Sequence, residues 1–373
     1  MISGFSHDDH LEDLLERICE RLQITSTQQA LAEQRYKSVG EWLSADGTIL
    51  APADPQIYPQ GSLRIGTTVK PLSEREYDLD LVCELNIPWE KYDPVFILDV
   101  IQKRLKENGK YAPLIERKNR CIRINYANEF HMDVLPACPD CIKNHGCVKV
   151  PDRKANDWKD SNPKGYAGWF ESRSMVLRMV MDKAMEPLPK PEPAYRKPPL
   201  KRAVQLMKRY RDVAFQNNPE MAPISVILTT LAGHHYSGQN SVNAALSAIL
   251  SGIVSSIPAS SRLIVLNPMN PDEDFSEKWE ENRALYRNFL TWMHRFRTRW
   301  EEINSTKGIH NIAEILKDMF GEAIVSTVIK EQAEFLEKSR QAGTLKTRTG
   351  TGSLLTGVSA GVIPVRKNTF HGE

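Results

Sequence analysis

The sequence predicts an α+β protein of two lobes, in which a mixed β-sheet lobe with flanking helices precedes a helical lobe. Three observations predict this fold class. Short strand-like apolar runs lie between residues 58 and 136, helical periodicity dominates from about residue 161 to residue 340, and 373 residues are enough for two domains. We place the sheet lobe with its N-terminal helices at 1–165, the mainly helical lobe at 166–340 and a flexible C-terminal tail at 341–373.

The first fifty residues predict two helices. Apolar side chains recur at helical spacing from Leu11 to Leu22, and Ser6 followed by Asp9 resembles a capping box at the start of that helix. A second helix is predicted over residues 27–42.

The sheet lobe is predicted from runs of strand-forming residues. Strands are expected over residues 79–85, 122–126 and 132–135, and an amphipathic helix from Val95 to Leu105 follows the first of them.

The helical lobe contains a proline-rich connector over residues 187–199 and a long uncharged stretch over 222–261. Histidine and other polar residues interrupt the uncharged stretch, and the apolar residues of its second half form one helical stripe. This pattern predicts a buried helix and not a membrane span. The tail is rich in Gly, Ser and Thr with an excess of basic residues, which is typical of a mobile segment.

Composition excludes several classes of protein. The 49 Lys and Arg against 47 Asp and Glu leave a net charge of +2, which is not the balance of a protein that coats nucleic acid or an anionic membrane. Six cysteines are too few for a disulfide framework, and residues 1–10 lack the pattern of a signal peptide. We therefore expect a cytoplasmic protein.

Three aspartates form the strongest chemical signal. Asp78 and Asp80 begin one strand-like run, and the strand period of two places both carboxylates on one face. Their charges repel unless a cation lies between them, and hard oxygen ligands suit Mg²⁺ or Mn²⁺ together with the phosphates of a nucleotide. Asp133 lies in another predicted strand. Three acids on adjacent strands can hold two metal ions about 4 Å apart for phosphoryl transfer.

Gly61 and Ser62 are the candidate residues for binding the phosphates of the nucleotide. Glycine lets the backbone approach a phosphate closely, and the serine hydroxyl and neighbouring N–H groups can donate to it. The alternative is an ordinary turn followed by a strand with a solvated acidic edge.

A basic helix is predicted after Pro199. Seven basic residues and no acid lie between residues 195 and 211, and Lys201, Lys208 and Arg211 share one helical stripe. This stripe would form a positively charged surface that binds a triphosphate. The alternative is a basic helix face that is exposed to solvent and binds no ligand.

The next helix is predicted to begin near Pro223, which places Ser225 close to its N-terminus. Free N–H groups there favour phosphate, although Ser225 could equally make a hydrogen bond within the helix start. Tyr210 and Tyr236 are candidates for stacking on a base, but such residues more often belong to a core.

A second candidate metal site is a short cluster of soft ligands, Cys138, Cys141, His145 and Cys147. The spacing permits tetrahedral Zn²⁺, but all four come from one loop and no second pair of ligands follows. Free thiols are the alternative.

At this point the sequence resembles a known family. The segments QGSLRIGTTVKP, YDLDLVCEL and HMDVLPA are similar to motifs of the DNA polymerase β-like nucleotidyltransferases. They most resemble the bacterial cGAS/DncV-like nucleotidyltransferases (CD-NTases) of CBASS anti-phage systems, in particular the clade that makes cyclic trinucleotides, clade D. The resemblance extends through SNPKGYAGWF at residues 161–170 and NPMNPDEDFSEKW at residues 267–279.

The resemblance implies a bilobal polymerase β-like nucleotidyltransferase fold whose sheet lobe is catalytic. It implies an enzyme that joins ATP, with or without GTP, into a cyclic di- or trinucleotide second messenger that a downstream effector binds. By resemblance, the active site holds two metal ions. Asp78 and Asp80 hold the metals on the donor triphosphate, and Asp133 binds the metal at the acceptor hydroxyl. The phosphate contacts carried over are Ser62, Lys208 and Ser225.

The resemblance also concerns the C-terminus. Some members have their last residues conjugated by a ubiquitin-transfer-like partner, and residues 369–373, Thr-Phe-His-Gly-Glu, would suit such a partner. A disordered end without a role is the alternative.

Two other functions remain open from the sequence. An RNA 3′-end nucleotidyltransferase shares the catalytic pattern, but no RNA-binding module or basic groove is evident beyond residues 195–211, so no nucleic-acid partner is required. A non-catalytic binding protein on the same fold is the second alternative, and the three acids argue against it because clustered carboxylates without metal are costly. These patterns do not specify the bases, the ring size, the linkage, the activating signal or the oligomeric state.

Overall fold

The computed structural model describes residues 7–72, 77–126, 130–140, 146–174, 185–348, 354–356 and 362–365. Its α-helices in chain order are α1 His7–Arg21, α2 Ser26–Leu43, α3 Gly61–Ile65, α4 Pro94–Lys106, α5 Pro163–Arg173, α6 Pro199–Ala214, α7 Ser225–His235, α8 Val242–Ser256, α9 Lys278–Glu281, α10 Arg283–Ser305, α11 Ile309–Phe320 and α12 Glu322–Gln341. Its strands are β1 Gln56–Gln60, β2 Tyr77–Glu84, β3 Ile115–Arg117, β4 Ile122–Tyr126, β5 Phe130–Pro139, β6 Val148–Asp152, β7 Asp157–Ser161, β8 Leu266–Asn267, β9 Asn270–Asp274, β10 Leu345–Arg348, β11 Leu354–Thr356 and β12 Val362–Pro364.

The first lobe is built on a mixed sheet in the order β1-β2-β5-β4-β3, with β6 and β7 continuing from the end of β5. Only β2 and β5 run parallel among the pairs of this sheet in the described residues. Leu79 and Leu81 of β2 are buried with Ile97 and Leu98 of α4 in one apolar core, so α2 and α4 cover one face. Because strand side chains alternate, the aspartates of β2 point to the opposite face.

Local sequence explains where the flanking helices begin. Thr25 and Gln28 form a capping box at the start of α2. Asp93 accepts hydrogen bonds from the backbone N–H groups of Val95 and Phe96, and Pro94 occupies the first turn of α4, where a missing N–H costs nothing.

The second lobe is a group of helices around α6. Every residue of α6 from Leu200 to Tyr210 is buried, and α7, α8, α10 and α11 pack around it. The helix predicted in the uncharged stretch is α8, which begins at the N-cap Ser241 and buries its apolar stripe. No helix within the described ranges is long and apolar enough to cross a bilayer.

Two hydrogen-bonded segments join the lobes. They are residues 161–170 and 267–279, which carried part of the resemblance. Ser161 Oγ donates to Glu273 Oε1 at 3.1 Å, and the Asn162 side chain donates to the carbonyl oxygen of Met269 at 3.1 Å. These bonds link the end of β7 to the β8–β9 hairpin.

The domain boundaries predicted from the sequence differ from the packing at both ends. Helix α1 belongs to the core of the helical lobe, because its apolar side chains from Leu11 to Leu22 pack with α6, α8 and α12 and not with the sheet. The spacing of apolar residues along a helix predicts which face of the helix is buried, but it does not predict against which of two cores that face packs. In the tail predicted to be flexible, β10, β11 and β12 form a three-stranded antiparallel sheet.

A buried ion pair connects α3 to α5 and supports a stability prediction. Arg64 Nη1 lies 2.6 Å from Glu171 Oε1, and the two side chains are only 8% and 4% exposed. Glu171→Gln removes one of two carboxylates from the buried guanidinium, because Glu186 Oε1 also lies 3.4 Å from Arg64 Nε. We therefore expect a loss of about 2 kcal/mol in the free energy of unfolding, measured by urea denaturation. Glu41→Gln is the matched control. Glu41 pairs with Lys37 at the surface, where both side chains are more than 60% exposed, and its loss should cost under about 0.5 kcal/mol. Equal effects of the two substitutions would contradict the prediction.

Candidate active site

Strand register brings the three aspartates to one face of the sheet. In the parallel pair β2–β5, Asp80 lies directly opposite Asp133, and Asp78 lies opposite His131, two residues earlier. Side chains of directly paired residues on neighbouring strands point the same way. Asp78, Asp80 and Asp133 therefore form one carboxylate cluster, as their spacing along the sequence had suggested but could not demonstrate.

Gly61 lies directly against this cluster at the start of α3. Its φ is +66°, and a Cβ atom at this position would stand 2.2 Å from Asp80 Oδ2. Only glycine meets both conditions, because other residues rarely adopt this backbone conformation and none fits the space. Ser62 follows and accepts a hydrogen bond from Thr68 Oγ1 at 3.3 Å.

A cavity of about 420 Å³ opens between the two lobes at this point. Seven of the residues predicted from the sequence line it, namely Gly61, Ser62, Asp78, Asp80, Lys208, Arg211 and Ser225. The sheet lobe contributes the carboxylates and the Gly-Ser turn, and the helical lobe contributes the lysine and the serine. The volume lies within the range of small-molecule sites in enzymes.

The helical lobe holds the segment that follows the Gly-Ser turn. Lys208 Nζ donates to the carbonyl oxygen and the hydroxyl of Thr67 at 3.1 and 3.0 Å. Gln205 donates to the carbonyl oxygen of Thr68 at 2.7 Å, and Arg209 donates to that of Lys70 at 2.9 Å. Three side chains of α6 thus fix this segment of backbone beside the cavity.

Burial in the cavity shifts the pKa values of an acidic and a basic side chain. Burial, with the nearby charges of Asp78 and Asp133, raises the pKa of the Asp80 carboxyl to about 7. Burial also lowers the pKa of the Lys208 ammonium to about 7, and the nearby Arg211 guanidinium adds to this effect. Burial therefore disfavours the charged forms of both Asp80 and Lys208, and a bound cation and a bound anion would each restore the charged form. Such a site is suited to a cation and a phosphate together.

Ser225 is the first residue of α7, as predicted, and its hydroxyl accepts a hydrogen bond from Arg211 Nη1 at 2.7 Å. Arg211 also pairs with Asp212. Ser225 thus lies at a helix N-terminus on the cavity wall with a cation beside it, while its own hydroxyl has a partner within the protein.

The predicted positively charged surface is narrower than the sequence suggested. Lys201 is fully buried and pairs with Glu192 at 2.9 Å, away from the cavity, so only Lys208 and Arg211 of the stripe line it. A run of basic residues on a helix does not disclose which of them face buried acids. Tyr210 and Tyr236 are core residues, each 4% exposed.

Arg123 is a residue of the site that sequence reasoning missed. It lies on β4 opposite Asp133, donates to both oxygens of Asp133 at 2.7 and 2.8 Å, and donates to Asp78 Oδ1 at 3.2 Å. In the strand sequence Ile-Arg-Ile-Asn-Tyr, Arg123 alternates with apolar residues, which places it on the face opposite the apolar core. Any half-exposed strand has the same alternation, so the pattern did not identify Arg123 as a residue of the site.

The donor set at the carboxylate cluster fits Mg²⁺ or Mn²⁺. Hard carboxylate oxygens from adjacent strands are the ligands that these ions prefer, and burial followed by the charges of Asp78 and Asp133 raises the pKa of Asp80, which a bound cation would offset. Within the described ranges, no group of three or more His, Cys, Asp or Glu side chains is arranged as a metal site. At this cluster, Asp78 and Asp133 are both engaged by Arg123.

The predicted zinc ligands are only partly described. Cys138 and Cys147 are buried and not in disulfides, and burial raises the pKa of the Cys138 thiol to about 12. Cys141 and His145 lie outside the described residues. Zinc binding by these four residues stays a prediction, which metal analysis of the purified protein tests.

Lys208 supports a prediction about nucleotide binding. Lys208→Met removes the buried cation from the cavity, so the KM for the nucleotide should rise about tenfold or more, measured by steady-state kinetics. Gln205→Met is the matched control, because Gln205 donates to the same segment but does not line the cavity. The control should reduce stability and leave KM nearly unchanged. A similar rise in KM for both variants would show that Lys208 acts only through the backbone of Thr67.

A carboxylate cluster on parallel strands, a Gly-Ser turn beside it and a lysine from a helical lobe together define a nucleotidyltransferase of the polymerase β-like fold. Residues 9–173 match the family profile of the Second Messenger Oligonucleotide or Dinucleotide Synthetase domain. The chain is 35% identical to the c-di-GMP synthase of Roseivirga ehrenbergii, with 97% of each chain covered. It is 25% identical to the cyclic dinucleotide synthase CdnG of Bradyrhizobium diazoefficiens, with 98% of this chain and 95% of the relative covered.

Solved structures show the same fold. The complex of Bradyrhizobium diazoefficiens CdnG with GTP has a TM-score of 0.71 at 23% identity and covers 87% of this chain and 99% of its own. Escherichia coli DncV in its 3′-deoxy GTP bound form has a TM-score of 0.58 at 15% identity and covers 82% and 93%. The chain belongs to the CD-NTase family of cGAS/DncV-like nucleotidyltransferases, and it is an enzyme that synthesises cyclic oligonucleotides. The resemblance to the CD-NTases and the fold class predicted from the sequence are confirmed.

Proposed function

We propose that this enzyme joins two molecules of GTP into c-di-GMP and releases two molecules of pyrophosphate. The observation that carries the proposal is the 35% identity, over 97% of both chains, with a protein named c-di-GMP synthase. The GTP complex of CdnG, whose fold this chain shares, supports the same base. The sequence alone had led us to expect ATP as the main substrate and a cyclic trinucleotide among the products. The names of both sequence relatives favour GTP or a dinucleotide instead.

The phosphates are proposed to bind between the two lobes. Gly61 lets the backbone of α3 approach the donor triphosphate, and the Ser62 hydroxyl donates to it from one side. Lys208 and the N–H groups at Ser225 provide positive charge from the other side. A triphosphate placed here lies against the carboxylate cluster, where the reacting phosphorus has to be.

The carboxylate cluster is proposed to hold two divalent ions, with Asp78 and Asp80 on the donor side and Asp133 on the acceptor side. When bound, Mg²⁺ or Mn²⁺ neutralises the triphosphate and lowers the pKa of the attacking ribose hydroxyl. Asp80 and Asp133 position the two halves of the site relative to each other, because their Cα atoms are fixed by direct strand pairing. After the first bond forms and one pyrophosphate leaves, the linear intermediate has to rebind so that its one remaining triphosphate occupies the donor position.

The biological setting that we propose is cytoplasmic anti-phage defence of the CBASS type, in which an effector binds the cyclic product. Conjugation of the C-terminus by a ubiquitin-transfer-like partner belongs to the same proposal. Residues 369–373 lie outside the described residues. Deleting them should leave nucleotide synthesis intact and prevent any covalent adduct.

Product analysis tests the proposed reaction. Purified enzyme is incubated with Mg²⁺ or Mn²⁺ and with GTP alone, ATP alone or both, and the phosphatase-resistant product is identified by mass spectrometry. We expect c-di-GMP from GTP alone and no resistant product from ATP alone. A trinucleotide or a product that requires ATP would contradict the proposal, and extension of added RNA without a cyclic product would favour the RNA 3′-end alternative.

A further inference from the structure

We propose that Arg123 is a positioning residue that acts as the internal counter-ion of the carboxylate cluster and competes with the divalent ion at Asp133. The inference rests on the metal-binding role proposed above for the three aspartates. It adds a residue whose part in the reaction is to hold the ligands in place before the ions arrive.

Arg123 is built into the sheet beside the carboxylates. It lies on β4, where its Cα pairs directly with that of Asp133 on β5, and its side chain is only 20% exposed. Its Nε and one terminal nitrogen donate to the two oxygens of Asp133 at 2.7 and 2.8 Å. A guanidinium and a carboxylate joined by two parallel bonds are held in one orientation.

The contacts of Arg123 with the two aspartates are unequal. Asp78 receives one bond at 3.2 Å from the same terminal nitrogen, and its side chain is 57% exposed. An ion that binds Asp78 and Asp80 has to displace this one long, solvated contact. An ion that binds Asp133 has to displace or share the two short hydrogen bonds that Arg123 donates to Asp133. One of these bonds comes from the terminal nitrogen that also donates to Asp78. The structure therefore assigns the stronger competition to Asp133.

Two physical consequences follow from removing this guanidinium. The ion at Asp133 no longer has a competitor, so its affinity rises. The metal-free protein also loses the cation closest to three carboxylates that repel one another, so its stability falls until a divalent ion replaces the lost charge.

The first measurement is a titration with Mn²⁺ alone, followed by the EPR signal of the free ion. We expect two classes of site in the wild-type protein, the weaker at Asp133. In Arg123→Gln the weaker class should bind Mn²⁺ about tenfold more tightly, the equivalent of one charge-assisted hydrogen bond. Arg117→Gln is the matched control. Arg117 lies on the neighbouring strand β3 and pairs with Asp99 of α4, so this change removes the same charge on the covered face and should leave both affinities unaltered.

The second measurement is thermal unfolding in EDTA and in Mn²⁺. Arg123→Gln should unfold at a lower temperature than wild type in EDTA, and saturating Mn²⁺ should remove most of that deficit. A purely structural arginine would produce the same deficit in both buffers. Should Arg123→Gln fail to fold, Arg123→Lys keeps the charge without the paired donors and should tighten the weaker class by a smaller factor.

Unchanged or weakened Mn²⁺ binding in the folded variants would overturn the inference. Neither measurement uses nucleotide, so a failure of the proposed GTP reaction leaves their outcome unaffected. Absence of Mn²⁺ binding by the wild-type protein would instead reject the metal-binding role of the aspartates, and the inference with it.

Discussion

Replacing Asp80 with Asn should reduce cyclic product formation by about a thousandfold or more, because it removes the central carboxylate while keeping the size of the side chain. Asp80 lies between the other two acids, two residues from Asp78 on one strand and directly opposite Asp133 on the next. The measurement is the initial rate of phosphatase-resistant product from GTP.

The stability of the same variant separates lost chemistry from lost structure. The raised pKa of Asp80 means that its ionised form is disfavoured by the metal-free fold, through burial first and then through the two neighbouring acids. Asp80→Asn should therefore unfold in EDTA at the same temperature as wild type or higher. Asp99→Asn, at an exposed carboxylate on the other side of the sheet, is the control and should retain full activity. Full activity of Asp80→Asn would reject the catalytic role.

Gly61→Ala should reduce the rate about hundredfold, because displacing a catalytic group by about an ångström has an effect of this size. The added Cβ would lie 2.2 Å from Asp80 Oδ2, so either the carboxylate or the start of α3 has to move. The measurement is again the initial rate of product formation, with the free energy of unfolding determined in parallel.

Gly47→Ala isolates the backbone contribution to this effect. Gly47 has a φ of +68°, close to the +66° of Gly61, but nothing lies within 4 Å of the position of its Cβ. Both alanine variants should lose about 1 kcal/mol of stability from the left-handed backbone, and only Gly61→Ala should lose activity. Equal activity of the two variants would show that the close contact with Asp80 has no catalytic consequence.

The local patterns of this sequence were sufficient for the central strands and for six of the twelve helices in the described residues, α1, α2, α4, α6, α7 and α8. The predicted strands at residues 79–85, 122–126 and 132–135 correspond to β2, β4 and the middle of β5. β1 was missed because Pro59 disfavours a strand, but β1 lies at the edge of the sheet, where a missing N–H is tolerated. The β6–β7 hairpin was missed because Pro151 interrupts the short alternating run of β6 and the residues of β7 are largely polar.

Part of the active site could also be predicted from local patterns in the sequence. Asp78 and Asp80 share a face through strand periodicity, and that is local information. The pairing of Asp80 with Asp133 depends on the parallel register of two strands about fifty residues apart, which no local pattern specifies. Arg123 and the buried partners of α6 depend on the same long-range packing, so neither was identified from the sequence.

The most direct test of the account is anomalous diffraction from crystals of the enzyme grown with Mn²⁺ and a non-hydrolysable GTP analogue. The account predicts one manganese peak at Asp78 and Asp80 beside the triphosphate and a second at Asp133, with Arg123 displaced from Asp78 and its two bonds to Asp133 broken or shared with the ion. Manganese bound elsewhere, or a triphosphate that contacts neither Ser62 nor Lys208, would contradict it.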